Sequence, residues 1–152
     1  MTETHLAGPS LADIEAARDI VGRVAQVTPM ESSRFLEEVL GAPFYLKCEN
    51  LQRTGSYKIR GAYNRLSKLS DEERSHGVVA ASAGNHAQGV AFAARELGIK
   101  ATIFMPIGVA LPKLQATRDY GADVVLRGHT VAAPAIHRPP RTAPARRPGF
   151  PD

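Results

Sequence analysis

The chain has 152 residues, a length typical of one domain and short for two. Hydrophobic residues make up 43% of it and charged residues 22%, which excludes a collagen-like or wholly disordered chain. A single cysteine, Cys48, excludes an internal disulfide, and no apolar run reaches the roughly 18 residues of a membrane span. Because the amino-terminal segment lacks the basic start and apolar centre of a signal peptide, we expect a cytoplasmic protein.

The excess of positive charge lies near the end of the sequence. There are 19 Lys and Arg against 15 Asp and Glu, a net charge of +4. Five of the basic residues but a single acid follow position 126, so residues 1–126 carry equal numbers of each. The basicity is therefore weak evidence for a nucleic-acid surface, and neither a nucleic-acid nor a membrane partner is predicted.

Residues 131–152 differ in composition from the rest of the chain. Six of the 11 prolines lie in 134–152, with few large apolar residues to bury, which predicts a disordered tail. A natural linker, a basic proline-rich binding tail, and an altered reading frame or truncation all remain open. The abrupt interruption of an α/β pattern favours the last, and reading the nucleotide sequence beyond codon 128 in the other frames would test it.

Two helices and a strand are predicted in the first 50 residues. Ser10 is expected to cap a helix that continues to Arg23, because Asp13 stands at the capping-box position. The segment RFLEEVL is predicted to form a short helix, capped by Ser32 or Ser33 and closed by a glycine. The apolar run PFYLKC follows as a predicted strand.

Strands and helices then alternate in the order typical of a parallel sheet. A turn at QRTGS leads into a helix whose apolar positions share one face: Ile59, Ala62, Tyr63 and Leu66. The strands GVVAAS, KATIFMP and ADVVLRG are separated by the helices AGNHAQGVAFAARELG and PKLQATRDYG. Since the connections are short, right-handed crossovers are expected, and the predicted fold class is α/β with a parallel sheet and flanking helices.

Two turns in this pattern have the composition of an anion-binding site. They are Thr54–Ala62 and Ser82–Gly89, and both are expected where a parallel sheet places ligands, at the carboxyl ends of its strands. Small residues let backbone N–H groups approach a bound carboxylate or phosphate, and the start of the following helix favours negative charge.

Lys58 is a candidate reactive amine on the first turn. Partial burial and the positive end of a helix both disfavour an ammonium there, as suits a Schiff-base former or a general base. Spacing alone favours the alternative of a solvated lysine, because most lysines at helix starts face water.

Other reactive side chains have structural interpretations. Cys48 ends an apolar strand and is interpreted as a packed small hydrophobe. Arg60 is either a charge on the helix surface or one beside a cofactor. No metal site is predicted, because four histidines form no ligand spacing with Cys48: His5, His76, His129 and His137.

Three segments, YLKCEN, TGSYKIRGA and SAGNHAQG, together resemble the amino-terminal part of the threonine ammonia-lyases. The resemblance runs from about Val21 to Gly128, with the motifs in the family's order and spacing. It implies the tryptophan synthase β-like fold of pyridoxal-phosphate-dependent enzymes, with pyridoxal 5′-phosphate as cofactor and an amino acid as substrate. It also implies a place in amino-acid metabolism, such as isoleucine biosynthesis, and a homo-oligomeric full-length protein.

The resemblance assigns roles position by position. Lys58 matches the lysine that binds the cofactor covalently and then acts as the catalytic base. Tyr57 stands beside it where phenylalanine is usual, and its hydroxyl is expected to need a partner. Asn85 matches the asparagine that hydrogen-bonds the 3′-hydroxyl of the cofactor. The loop that holds the substrate carboxylate is matched by Ser82, Ala83, Gly84, Asn85 and His86.

The expected reaction is deamination of L-threonine, and also of L-serine, to a 2-oxo acid and ammonia. One alternative is a serine dehydratase or racemase relative. Ala83 is evidence against racemisation, because the similar serine racemases carry a proton-donating serine at this position. The other alternative is a non-catalytic remnant with a basic interaction tail.

The resemblance also divides the chain. Residues 1–44 would belong to an incomplete large cofactor-binding domain, residues 45–130 to the α/β region with the lysine and the substrate loop, and residues 131–152 to the tail. The glycine-rich phosphate loop that the family carries later in its sequence is not found after Gly128. We therefore expect the isolated chain to bind the cofactor poorly and to have little activity.

Overall fold

The computed structural model describes residues 8–129. Within that range the helices are α1 (Leu11–Val21), α2 (Arg34–Leu40), α3 (Lys58–Ser67), α4 (Asp71–Ser75), α5 (Asn85–Glu96) and α6 (Leu111–Asp119). The strands are β1 (Met30–Ser32), β2 (Tyr45–Lys47), β3 (Val78–Ala81), β4 (Ala101–Met105) and β5 (Asp123–Leu126). Two short 3-10 helices, Glu49–Leu51 and Arg53–Gly55, precede α3. The tail predicted for residues 131–152 lies outside the described residues.

Side-chain caps fix the starts of the first two helices. The Ser10 hydroxyl accepts the N–H of Asp13, whose carboxylate accepts the N–H of Ser10, so the predicted capping box is confirmed. Helix α1 ends at Val21, two residues before the predicted end. Ser33 caps α2, whereas Ser32 belongs to β1, which decides between the two predicted caps.

The central sheet has the predicted parallel arrangement, with strand order β3-β4-β5. Helix α5 connects β3 to β4, and α6 connects β4 to β5. The second sheet is an antiparallel pair of β1 and β2 that the sequence only half predicts. The strand predicted over PFYLKC is confirmed as β2 at Tyr45–Lys47. Strand β1 is not predicted from the sequence, because its three residues are too few to show a periodicity.

The core lies where α5 packs against α3 and against the parallel sheet. The predicted apolar face of α3 is fully buried, and Ile103 and Met105 of β4 lie at its centre. Strand β3 is fully buried on one face only. Val78 and Ala80 are buried, whereas Val79 and Ala81 on the opposite face are half-buried.

The amino-terminal elements expose much of their apolar surface. On α1, Val21 is buried, but Leu11 and Ile14 are 71% and 59% exposed. Phe35 of α2 is also 71% exposed. The core of the described residues is therefore built by α3 onwards. No helix within residues 8–129 has the length and hydropathy needed to span a bilayer.

Candidate active site

The two predicted turns meet at the starts of α3 and α5, but only the second follows a strand of the parallel sheet, because the first comes after β2 of the antiparallel pair. Lys58 is the first residue of α3, and Asn85 is the first residue of α5. Ser82 follows β3 directly, and its N–H donates to the Phe104 carbonyl of β4 at 3.0 Å. The loop at residues 82–84 is therefore held at the carboxyl edge of the parallel sheet, where open α/β sheets place ligands.

Gly89 brings α5 against the reactive lysine. A Cβ atom at Gly89 would lie 3.1 Å from the carbonyl carbon of Lys58 and 3.3 Å from the Lys58 Cβ. Because glycine has no side chain, the buried middle of α5 can touch the first turn of α3. This contact fixes the backbone of Lys58 relative to the loop that precedes α5.

The Lys58 amine is half-buried. Its Nζ lies 5.0 Å from the centre of the Tyr57 ring. None of the ion pairs found within residues 8–129 includes it. Tyr57 is 59% exposed.

The loop before α5 presents backbone donors. The N–H of Gly84 donates to the Ser82 hydroxyl at 3.2 Å, and no side chain caps the helix. The first intrahelical bond runs from the Gln88 N–H to the Gly84 carbonyl. The N–H groups at the start of α5 are therefore available to an anion, as the sequence predicts for this turn.

His86 lies close enough to Lys58 to be affected by its charge. The side chain is half-buried, and burial together with the Lys58 ammonium lowers its pKa from the usual 6.5. Neutral imidazole is therefore the dominant form at pH 7. Lys58 and His86 thus face the same region from two helices.

A half-buried ion pair anchors the segment that leads to Lys58. Arg60 donates two hydrogen bonds to the Glu49 carboxylate, at 2.8 and 2.7 Å, and the Thr28 hydroxyl donates a third at 2.7 Å. The Arg60 hydrogen bonds, opposed by partial burial, lower the pKa of Glu49 to about 2. Arg60 is a charge on the surface of α3 that ties this helix to the preceding 3-10 helix, and a place beside a cofactor stays a prediction.

The Glu49 pair predicts a pH-dependent stability. A lowered carboxyl pKa stabilises the folded chain above about pH 4.5, and the contribution is lost as pH falls towards 2. Glu49→Gln is expected to lower the free energy of unfolding by about 1–2 kcal/mol near neutral pH and by progressively less in acid. Urea unfolding at several pH values measures this.

The matched control is Glu96→Gln. The Glu96 carboxylate contacts Arg95 on the exposed surface, where ion pairs contribute little. A loss for Glu49→Gln that stays constant from neutral pH to about pH 3 would contradict the role given to this pair.

A strained turn lies just before Lys58. Thr54 has a φ of 65°, the one non-glycine residue with positive φ among residues 8–129. Its buried hydroxyl oxygen has no hydrogen-bond partner there. Both features are typical of backbone held in place at functional sites.

Two other features lie apart from this site. A groove of about 710 Å³ runs between α1 and α3, but neither Lys58 nor Asn85 lines it. Cys48 is half-buried, and its thiol contacts the Leu46 carbonyl at 3.6 Å. Within residues 8–129, no three metal-ligating side chains come together.

Sequence reasoning missed one side chain at the loop. Lys113 is the third residue of α6, and a Cβ at Gly84 would lie 3.3 Å from its Nζ. The carboxyl ends of neighbouring parallel strands share one edge, so the helix starts after β3 and β4 are adjacent. This adjacency of helix starts was the sequence signal that could have identified Lys113.

Comparison with known proteins agrees with this geometry. Residues 22–138 match a family described as "Pyridoxal-phosphate dependent enzyme". An L-threonine ammonia-lyase from Thermotoga maritima is 55% identical over 120 residues, which cover 79% of this chain and 30% of that protein. The chain thus spans about a third of the length of such relatives.

Solved structures extend the comparison. The processed form of threonine deaminase isoform 2 from Solanum lycopersicum is 43% identical, with a TM-score of 0.69 over 82% of this chain and 36% of its own. Maize serine racemase is 33% identical, with a TM-score of 0.78 over 84% of this chain and 39% of its own.

Proposed function

The chain belongs to the pyridoxal-phosphate-dependent enzyme family, and we propose that it supplies the reactive lysine and the substrate loop of an L-threonine ammonia-lyase. The observation that carries the proposal is the contact of the Lys58 backbone with α5, which brings the residue with the amine against a helix whose first N–H groups have no side-chain cap. The reaction converts L-threonine to 2-oxobutanoate and ammonia. L-serine is the second expected substrate.

The residues present fit the cofactor. A half-buried amine without an ion pair in the described range suits an aldehyde, and the Asn85 carboxamide suits a ring hydroxyl. The buried Thr54 hydroxyl without a partner and the open N–H groups of the loop offer further donors. In this proposal Lys58, Asn85 and Tyr57 hold the cofactor.

Each side chain then has a defined task. When bound, pyridoxal phosphate supplies a ring that withdraws electrons from the substrate α-carbon. The Lys58 amine takes up the α-proton and delivers it to the departing β-hydroxyl, which leaves as water, and hydrolysis of the released enamine gives 2-oxobutanoate and ammonia. The loop at Ser82–His86 binds the α-carboxylate through the uncapped N–H groups at the start of α5, which positions the α-hydrogen at Lys58.

We also retain the division of the chain as a proposal. Residues 45–130 form the α/β region that carries the lysine and the loop, and residues 1–44 belong to a larger domain. The exposed apolar side chains of α1 and α2 support this, because such surfaces are usually covered by protein.

A serine racemase activity is the second candidate, favoured by the similarity to the maize enzyme. Ala83 opposes it, since a methyl group has no proton to return to the α-carbon. The two activities are separated by measuring L-threonine, L-serine and D-serine side by side.

The test is a chimera in which residues 8–129 replace the matching segment of the Thermotoga maritima relative. With pyridoxal phosphate it is expected to release 2-oxobutanoate from L-threonine and to leave D-serine unchanged. Interconversion of the serine enantiomers without release of a 2-oxo acid would contradict the proposal and support racemisation.

A further inference from the structure

Lys113 reaches the substrate loop from a third helix. Its Nζ lies 3.3 Å, and its Cδ 4.0 Å, from the position of a Cβ at Gly84. The ammonium therefore lies in the space that any side chain at position 84 would use. Lys58 lies behind the same loop, at the start of α3.

The backbone of Lys113 is well anchored. Its carbonyl accepts the hydroxyl of Thr117, a fully buried residue, at 2.8 Å, and its N–H donates to the Ala110 carbonyl at 3.0 Å. The side chain itself is exposed, and its ammonium takes part in none of the ion pairs within residues 8–129. The anchored Lys113 backbone places an ammonium without an ion pair near the N–H groups at the start of α5, and this combination of charges suits an anion.

We propose that Lys113 is a positioning residue that pairs with the α-carboxylate of the amino-acid substrate. The inference rests on the proposed function and names a contact beyond the loop itself. The N–H groups at the start of α5 contact the carboxylate from one side, and the Lys113 ammonium contacts it from the side of Gly84. A charged hydrogen bond at a partly exposed site changes affinity about 10-fold.

The proposal predicts an effect on binding and not on chemistry. Lys113→Met keeps most of the side-chain volume but removes the charge. In the chimera, the KM for L-threonine is therefore expected to rise about 10-fold while kcat changes less than about twofold. Lys113→Arg is expected to restore most of the affinity, because it restores the positive charge. Lys100→Met, an exposed lysine at the opposite end of β4, is the matched control.

The direct experiment uses the 152-residue chain and L-2-aminobutyrate, which lacks the β-hydroxyl and cannot eliminate. Amide NMR shifts of residues 84–87 report its binding, which Lys113→Met is expected to weaken about 10-fold and Lys100→Met to leave unchanged. The uncharged amide of the same ligand should not distinguish Lys113→Met from the parent chain. A second titration with inorganic phosphate distinguishes a phosphate group from the substrate carboxylate as the anion that Lys113 binds.

The outcomes separate the two proposals. Equal aminobutyrate affinity in Lys113→Met and the parent chain overturns the role of Lys113 and leaves the loop assignment standing. Phosphate binding that depends on Lys113, without aminobutyrate binding, overturns the carboxylate as its partner. If neither ligand shifts the amide resonances of residues 84–87, the KM and kcat of the chimera are measured instead. An inactive chimera overturns the proposed function itself. An active chimera whose KM is unchanged by Lys113→Met overturns this inference alone.

Discussion

Replacing Lys58 by alanine is expected to abolish 2-oxobutanoate release by the chimera while leaving its fold intact. In this proposal the amine both attaches the cofactor through its aldehyde and removes the α-proton. Its loss therefore removes two functions at once. Removal of a catalytic base typically costs a factor of at least about 100, and loss of the cofactor attachment adds to it. Activity assays and circular dichroism of the same preparation measure the two parts.

The matched control is Lys68→Ala. Lys68 is an exposed lysine that follows the last turn of the same helix. It should retain full activity. Activity in Lys58→Ala within about tenfold of the parent would show that another group acts as the base.

Gly89→Leu is expected to destabilise the chain by about 3 kcal/mol, because four carbons must be placed against backbone that already lies 3.1 Å from the Cβ position. The neighbour is the main chain at Lys58 and Ile59, which cannot move aside as a flexible side chain does. Overpacking here should also displace Lys58 from the loop. Urea unfolding of the 152-residue chain measures the loss of stability.

Gly61→Leu provides the control for this substitution. Gly61 lies within α3 and has open space around its Cβ position, so leucine there should stabilise the helix by up to about 1 kcal/mol. Similar stability changes for the two variants would mean that the close packing of α5 on α3 is not what holds the lysine in place.

The sequence predicted the elements whose signals are local. The capping box at Ser10 is formed by residues three apart, and α1 starts where those residues indicate. The burial of Ile59 and Leu66 follows from helical periodicity alone. The parallel sheet followed in turn from the alternation of strands and helices, which leaves few topologies open.

The contacts that sequence reasoning missed are those between distant segments. The pairing of Arg60 with Glu49 joins residues 11 apart across two helices, and Lys113 meets Gly84 from the next strand–helix unit. No periodicity encodes either contact. The resemblance to a known family named the loop residues, but it gave no role to a lysine outside its motifs.

The assignment of Lys58 is tested most directly by borohydride reduction of the chimera in the presence of pyridoxal phosphate, followed by peptide mapping. The cofactor's mass is expected on the peptide that contains Lys58, and Lys58→Ala should remove it. Stable labelling of Lys113 or of any other lysine in the parent protein, with Lys58 unmodified, would contradict the account.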